Sequence, residues 1–560
     1  MPGTLLRAAA IWTGADCSPG PGWLLLDGPS IAATGGPDVP PPPAETVLDL
    51  PGAHVVPGFV DSHLHVGVTA WQPRGVDGAA WAGLGDALAA VRAAAVADPT
   101  SPWLLFWNAR PFAWPQRRLP TAAELDAAAP GRQVMLSGVD VHRGSLSSPA
   151  MRAVGLTTAR ARSGDVTRDR RGRPTGEVWE QAYGEALARA LADVAGHIAE
   201  HDADALLRHE LDRCLAHGIT HVHEAYVAPQ HHERMLRLAA APAPRLSWAV
   251  GAAEGLLTPV PGPAALPDGP YGASAREVKL FLDGGDRCAL HLPSRALARL
   301  AGSAVRESVA ARHIGPLRDS LRRPARIHGR DLRVEYLRYD DRALADVLAR
   351  FVEAGVRPRL HALGNLAARQ AATALRAIGA PPGAAVIDHL VLLDPATTGL
   401  VAASGATATF QPGFPATFGP QIAGTGTDRY LTVLAGRALL DAGVPLTAGS
   451  DHPAGPLDPL GNLRLAVGRT EQALTPSEAL RCYTTAAAAA LGAPGAGGLS
   501  PASPPTWSSA TATRSTRRPA SPRPGSPAAA PGRQARATTA APGDGERMRM
   551  AARAVSSAGE

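Results

Sequence analysis

From about residue 58 to residue 492 the chain alternates short apolar runs with longer stretches of helical periodicity, and this constrains the fold more than any other feature. The runs are "HVVPGFVDSHLHV", "RQVMLSGVDV", "GITHVHEAYV", "RLSWAV", "REVKLFLDG", "RPRLHALG", "AAVIDHLVLL", "ATATFQP" and "VPLTAGSD". Between them lie amphipathic stretches such as 179–217 and 341–355. Strands separated by helices pair in parallel, because the helix carries the chain back to the end of the sheet where the previous strand began. Alternation sustained over this length predicts an α/β fold, a (β/α)8 TIM-like barrel. Residues 295–340 are Arg-rich and break the rhythm, which predicts an insertion or lid.

Both ends have a different texture. Residues 1–57 read as short strands broken by Gly and by "DVPPPP", the N-terminal part of a small β-sandwich. Residues 493–560 read as a low-complexity tail. From 501 onward they contain no Leu, Ile, Phe or Tyr and one Val, too little apolar surface to offset the entropy of ordering. The formal charge of +6 belongs to this tail. Removing its nine Arg and three acidic residues from totals of 55 and 49 leaves 46 of each sign in residues 1–500. A neutral body gives no electrostatic footprint for nucleic acid. No apolar run reaches the roughly 18–20 residues that span a bilayer. The opening "MPGTLLRAAAIWTG" is weak as an export signal, and Cys17, Cys214, Cys288 and Cys482 are scattered without CxxC spacing. The expectation is a cytoplasmic protein whose partners are a small-molecule substrate and a second copy in a homodimer, with no nucleic acid and no membrane.

The runs end in chemistry-bearing residues: His63 and His65 in "VDSHLH", Lys279 in "VKL", His361 in "RLHALG", His389 in "VIDHL" and Asp451 in "TAGSD". In a barrel the C-terminal strand ends converge on the active site. Alternation lets positions i and i+2 face one way, so His63 and His65 can both point inward. Imidazoles with carboxylates suit Zn2+ or a similar ion. Singly each residue is weak evidence. A lone strand histidine is more often a satisfied core residue, and a strand-end aspartate is most often a helix N-cap. Lys279 is the single lysine among 55 basic residues. Chance accounts for that as well as chemistry does, until the ordered set is considered.

With these motifs, and with "FQPGF" and "GSDHPAGPLDPL", residues 5–495 resemble the amidohydrolase superfamily, most closely its YtcJ-like amidohydrolase-3 branch. "WLLLDGPSIAATG" resembles that branch's composite β-sandwich. The resemblance implies that His63, His65, His361, His389 and Asp451 bind one or two ions of Zn2+ or another divalent metal. It implies that Lys279 carries a CO2-derived carbamate bridging them, and that Asp451 shuttles a proton, making Asp451 and Lys279 the catalytic residues. A carbamate needs an amine that can lose its proton, which arginine cannot offer. The implied activity is hydrolysis of a non-peptide C–N bond, in an N-substituted amide or formamide, by metal-activated water. Hydrolysis of an ester or lactone on the same site, and an inactive barrel or truncated pseudo-enzyme with a binding role, remain open.

His142, in "VDVHRG", resembles the branch's Asp-Gly-His element and is a candidate for substrate contact, with a structural role equally open; His223 and Glu224 in "THVHEA" are further candidates. The pair His231 and His232 reads as surface, and Trp103, Trp107 and Trp114 read as core rather than pocket wall. Two departures stand out. The loop after Lys279 is "GGDRCAL", where the branch has a longer Ser/Gly-rich run. And where the branch returns to its sandwich with a segment like Ala-Asp-Leu-Val-Val, this chain has "PPTWSS", Pro504 to Ser509. That hexapeptide can be encoded CCG CCG ACC TGG TCG TCG, whose neighbouring frame spells Ala-Asp-Leu-Val-Val. The tail therefore reads either as a natural disordered extension or as a frameshift, the second being favoured, with the sandwich's last strands lost.

Overall fold

A computed structural model of the chain describes residues 3–13, 20–28, 30–156, 165–241, 244–251, 262–263, 266, 276–285, 287–321, 323–493, 496–499, 501 and 510–514. The chain divides into two compact units, residues 1–57 with 498–560, and residues 58–497.

The smaller unit is a five-stranded sheet. Thr4–Ile11 runs antiparallel to Gly20–Asp27 and parallel to Thr46–Pro57. Its apolar face buries Leu6, Leu24, Ile31 and Val55 against Leu499. Ala510–Arg514 adds an antiparallel strand to the outer edge of Thr46–Pro57. The C-terminal part thus supplies one strand, where the sequence predicts none. "ATATR" lacks apolar bulk, but an open edge offers unpaired backbone groups that any extended segment can satisfy. Residues 502–509, which include the hexapeptide Pro504–Ser509, lie outside the described residues, as do 515–560. The frameshift remains a proposal with a direct check. Reading Pro504–Ser509 in the neighbouring frame is expected to raise the melting temperature, because a Leu-Val-Val strand buries apolar surface that "TWSS" does not. Codons that spell no such strand in either other frame would end the idea.

The larger unit is built on eight parallel strands in chain order: Phe59–Leu64, Ile219–Val227, Arg245–Val250, Glu277–Phe281, Arg357–Ala362, Val386–His389, Thr407–Phe410 and Leu446–Ala448. The first and last are brought together by Ser62 Oγ donating to the Ala448 carbonyl (2.8 Å) and Asp451 N donating to the His63 carbonyl (2.7 Å). This is the predicted barrel. Eight of the nine apolar runs are its strands. The ninth, "RQVMLSGVDV", is not. Its strand Val134–Gly138 belongs to a six-stranded side sheet inserted between barrel strands one and two, where it pairs with Leu104–Ala109 and Arg143–Leu146. Trp103, Trp107 and Trp114 are 1–2% exposed in the cores of this insertion.

A second insertion lies between barrel strands four and five. It holds a three-stranded sheet, Leu290–Pro293, Asp331–Val334 and Ala325–His328, with helices Ala296–Ala311 and Gly315–Leu321. His231 is exposed as expected, but His232 is buried, accepting from Trp248 Nε1 at 3.3 Å. That helix, His232–Ala239, packs on barrel strand three and turns one of the two histidines inward. Among the described residues no helix is long and apolar enough to cross a membrane.

Candidate active site

The candidate ligands lie on barrel strands or just past their C-terminal ends. His63 is the penultimate residue of the first strand, and His65 follows that strand as the N-cap of a one-turn helix. Lys279 is on the fourth strand, His361 on the fifth, His389 on the sixth, and Asp451 just past the eighth. Gly449 lets the eighth strand reach the first, since a Cβ there would stand 2.6 Å from His63 N. His389 and Asp451 sit at φ 76° and 53°, a left-handed backbone that side chains of this kind adopt at a cost, commonly at functional sites.

The side chains converge. Asp451 Oδ1 lies 3.1 Å from His65 Nε2 and 3.4 Å from His63 Nε2. One ligand-type atom from each of His63, His65 and Asp451 lies within 4.8 Å of the others. The ring of His389 is 4.7 Å from that of His63 and 4.5 Å from that of His361. His389 Nδ1 faces Gln411 Oε1 at 3.0 Å, which leaves Nε2 for the site. Lys279, 2% exposed, donates to Asp388 Oδ2 at 2.6 Å.

Burial and charge compete here. Burial opposes a charged His65, yet Asp451 and Glu224 outweigh it and push the ring up to about 9. Burial would raise Asp451, but the three surrounding histidines hold it well below the usual carboxylate range. Burial lowers the Lys279 amine, against the pull of Asp388.

The donor set fits a divalent cation. Neither ring nitrogen of His63 meets a partner in hydrogen-bond geometry, although carboxylate oxygens stand 3.2 and 3.4 Å away, and His361 Nε2 likewise has none. Buried nitrogens without partners cost roughly 1–3 kcal/mol each. Imidazole and carboxylate donors that face one another satisfy that need by sharing a cation.

The substrate candidates divide. His142, in the turn after Val134–Gly138, lies over the site with its ring 5.1 Å from His361. Its Nδ1 pairs with Glu180 Oε2 at 2.8 Å. Glu224 reaches the cavity wall, but it holds His65 Nδ1 at 3.3 Å and accepts from Gly67 N at 2.7 Å. His223 does not wall the cavity. It is buried inside the barrel between Ser247 Oγ (2.9 Å) and Glu277 Oε2 (3.2 Å). The second strand shifts register around Glu224 against both neighbours, so the two residues part company.

The sequence reading did not single out Asp388, Glu180, Asp283 or the layer beneath the site. In that layer Arg359 reaches Glu277 Oε2 (3.3 Å), Asp388 Oδ1 (3.5 Å) and the Ser62 carbonyl (3.1 Å), and Arg357 pairs with Glu277. The available signal was positional: Glu277 and Arg359 each sit two residues before a candidate ligand, on the same strand face. Asp283 takes three backbone N–H bonds, from Ala289, Leu363 and Gly364, so it shapes the loops rather than the chemistry.

Residues 46–503 match the sequence model of the amidohydrolase family. The N-substituted formamide deformylase of Arthrobacter pascens is 28% identical over 471 residues, covering 80% of this chain and 82% of that one. The Bacillus subtilis (strain 168) protein named as amidohydrolase YtcJ is 25% identical over 476 residues, covering 80% and 81%. Among solved structures, an uncharacterised metal-dependent hydrolase from Pyrococcus horikoshii OT3 superposes with a TM-score of 0.62 at 17% identity, over 92% of this chain and 98% of that one. The chain belongs to the amidohydrolase family, in its YtcJ-like branch. It is an enzyme, a hydrolase acting on carbon–nitrogen bonds other than peptide bonds.

Proposed function

We propose that the protein is a metal-dependent amidohydrolase that cleaves an N-substituted amide or formamide. One observation carries this: ligand-type residues from barrel strands one, four, five, six and eight converge in the order H-x-H, K, H, H, D, with donors of His63, His65 and Asp451 within 4.8 Å of one another. The formamide deformylase relative supports a formamide or related amide as the substrate class.

His63, His65, His361, His389 and Asp451 would hold one or two divalent ions, with Zn2+ favoured by the nitrogen-rich set. Lys279 would join them after its amine adds to CO2 and releases one proton, leaving a carbamate with two oxygen donors. Bound there, a divalent ion lowers the pKa of water and polarises a carbonyl. The protein's own groups do the rest. Asp451, held ionised by three histidines, accepts a proton as water adds to the carbonyl carbon, and returns it to the departing nitrogen as the C–N bond breaks. Glu224 fixes the His65 ring through Nδ1, the orienting role that carboxylates commonly take beside metal-binding histidines. His142, oriented by Glu180, faces the substrate.

Purified protein is expected to hold one to two equivalents of Zn2+ or a similar ion and to hydrolyse members of a panel of N-acyl and N-formyl amines. His63→Ala with His65→Ala is expected to abolish both. Elemental analysis of the double variant showing normal metal content would sink the assignment, and a panel in which only esters or lactones react would move the activity to that bond.

A further inference from the structure

The donor cluster lies between two apolar lobes. The larger, about 340 Å3, runs under the helix Glu180–Ala195 and is walled by Val68, Trp71, Gly184, Leu187, Leu191 and Leu207. The smaller, about 130 Å3, runs under the second insertion and the helix Phe414–Thr425, and is walled by Val334, Tyr336, Leu392, Phe414, Phe418 and Ile422. Five residues line both lobes: Asp140, His142, His361, His389 and Asp451. These include the site's proposed proton carrier, Asp451, and its substrate-facing histidine, His142. A bond cleaved there has one lobe on each side.

Size decides what the lobes can take. A cavity of roughly 150 Å3 lined by Leu, Ile and Phe admits a benzene molecule. The smaller lobe is close to that size and the larger more than twice it. A formamide has only a hydrogen on its acyl carbon. It would occupy one lobe with its nitrogen substituent and leave the other, with its apolar walls, unfilled. Apolar walls favour a ligand only when apolar surface is buried against them.

We infer that the substrate is a carboxamide with an apolar group on both sides of the scissile C–N bond, one of ring or short-chain size and one larger, rather than a formamide. The inference rests on the amide-hydrolase reading above and narrows it. The second insertion supplies Val334 and Tyr336 to the smaller lobe, so that segment sets the size of the group accepted there.

The test is a matched series on the metal-loaded enzyme: N-benzylformamide, N-benzylacetamide, N-benzylbutanamide and N-benzylhexanamide. The expected result is a kcat/KM that rises by about fourfold per added methylene until a lobe is full, from the ~0.8 kcal/mol that burying a methylene contributes. Ile422→Trp is expected to flatten that rise, so that the acetamide, butanamide and hexanamide react at similar rates. Leu191→Trp, across the site, is expected to reduce rates for bulky N-substituents without flattening the acyl series. Both residues are half-buried, and a metal content and melting temperature near wild type show that each variant folds. A series in which the formamide is best and activity falls with each acyl carbon overturns the two-lobe inference and leaves amide hydrolysis intact. Turnover of no member by protein that keeps its metal overturns both.

Discussion

Lys279→Arg is expected to lose bound metal and to fall by about three orders of magnitude in kcat/KM. The substitution keeps a cation and much of the side-chain length. If the only task of Lys279 were to pair with Asp388, 2.6 Å away, arginine would serve with little loss. On the carbamate proposal it removes two oxygen donors and leaves a permanent positive charge among His63, His361 and His389. Two unit charges ~4 Å apart repel by roughly 4 kcal/mol at an effective dielectric of about 20, and ~1.4 kcal/mol is a factor of ten. Because a guanidinium is bulky for a site 2% exposed, Lys279→Ala serves as a second probe. It should also be inactive, and short carboxylic acids at high concentration should restore part of the rate by standing in for the carbamate. The decisive comparison is metal content and turnover of Lys279→Arg beside wild type. Near-normal values of both would remove Lys279 from the ligand set.

The barrel was legible because each strand run ends in turn residues beside a polar group, so the eight strands and the ordered ligands announce one another. What periodicity could not say is which sheet a run joins. "RQVMLSGVDV" has the same apolar texture as a barrel strand, yet Val134–Gly138 pairs within the side sheet. That sheet delivers His142 to the site from outside the barrel, a long-range placement that no local pattern encodes. His223 misled for the opposite reason. The sequence reads it as ending a strand like the ligands, but it sits in the middle of Ile219–Val227, and its partners Ser247 and Glu277 from barrel strands three and four keep it in the interior. Its neighbour Glu224 instead reaches the cavity wall. Asp388 was hidden by its neighbour, since a carboxylate next to a candidate ligand histidine draws no notice until Lys279 is seen to touch it.

The layer beneath the ligands carries the second large expectation. Arg359→Leu should destabilise the protein by about 3–5 kcal/mol, the usual range when one member of a buried ionic network is removed. Arg359 is 1% exposed and ties three other barrel strands to its own, through the Ser62 carbonyl on the first, Glu277 on the fourth and Asp388 on the sixth. Leucine fills much of the space but leaves two buried carboxylates short of a partner. Arg359→Lys should be milder yet still costly, because one ammonium cannot match a planar fork that meets three groups. Among the described residues the basic neighbours of Asp388 are Lys279, Arg359 and His63. If Lys279 becomes an anion, the charge of Arg359 is what keeps Asp388 compensated, so the guanidinium matters more in the carbamate form than in the free amine form. Denaturant midpoints measured with metal removed and with metal restored separate these effects. Arg359→Leu should lower both midpoints, and the metal-loaded one by more. A variant whose unfolding free energies, derived from both midpoints, stay within ~0.5 kcal/mol of wild type would show that this layer is not what holds the strands and their ligands together.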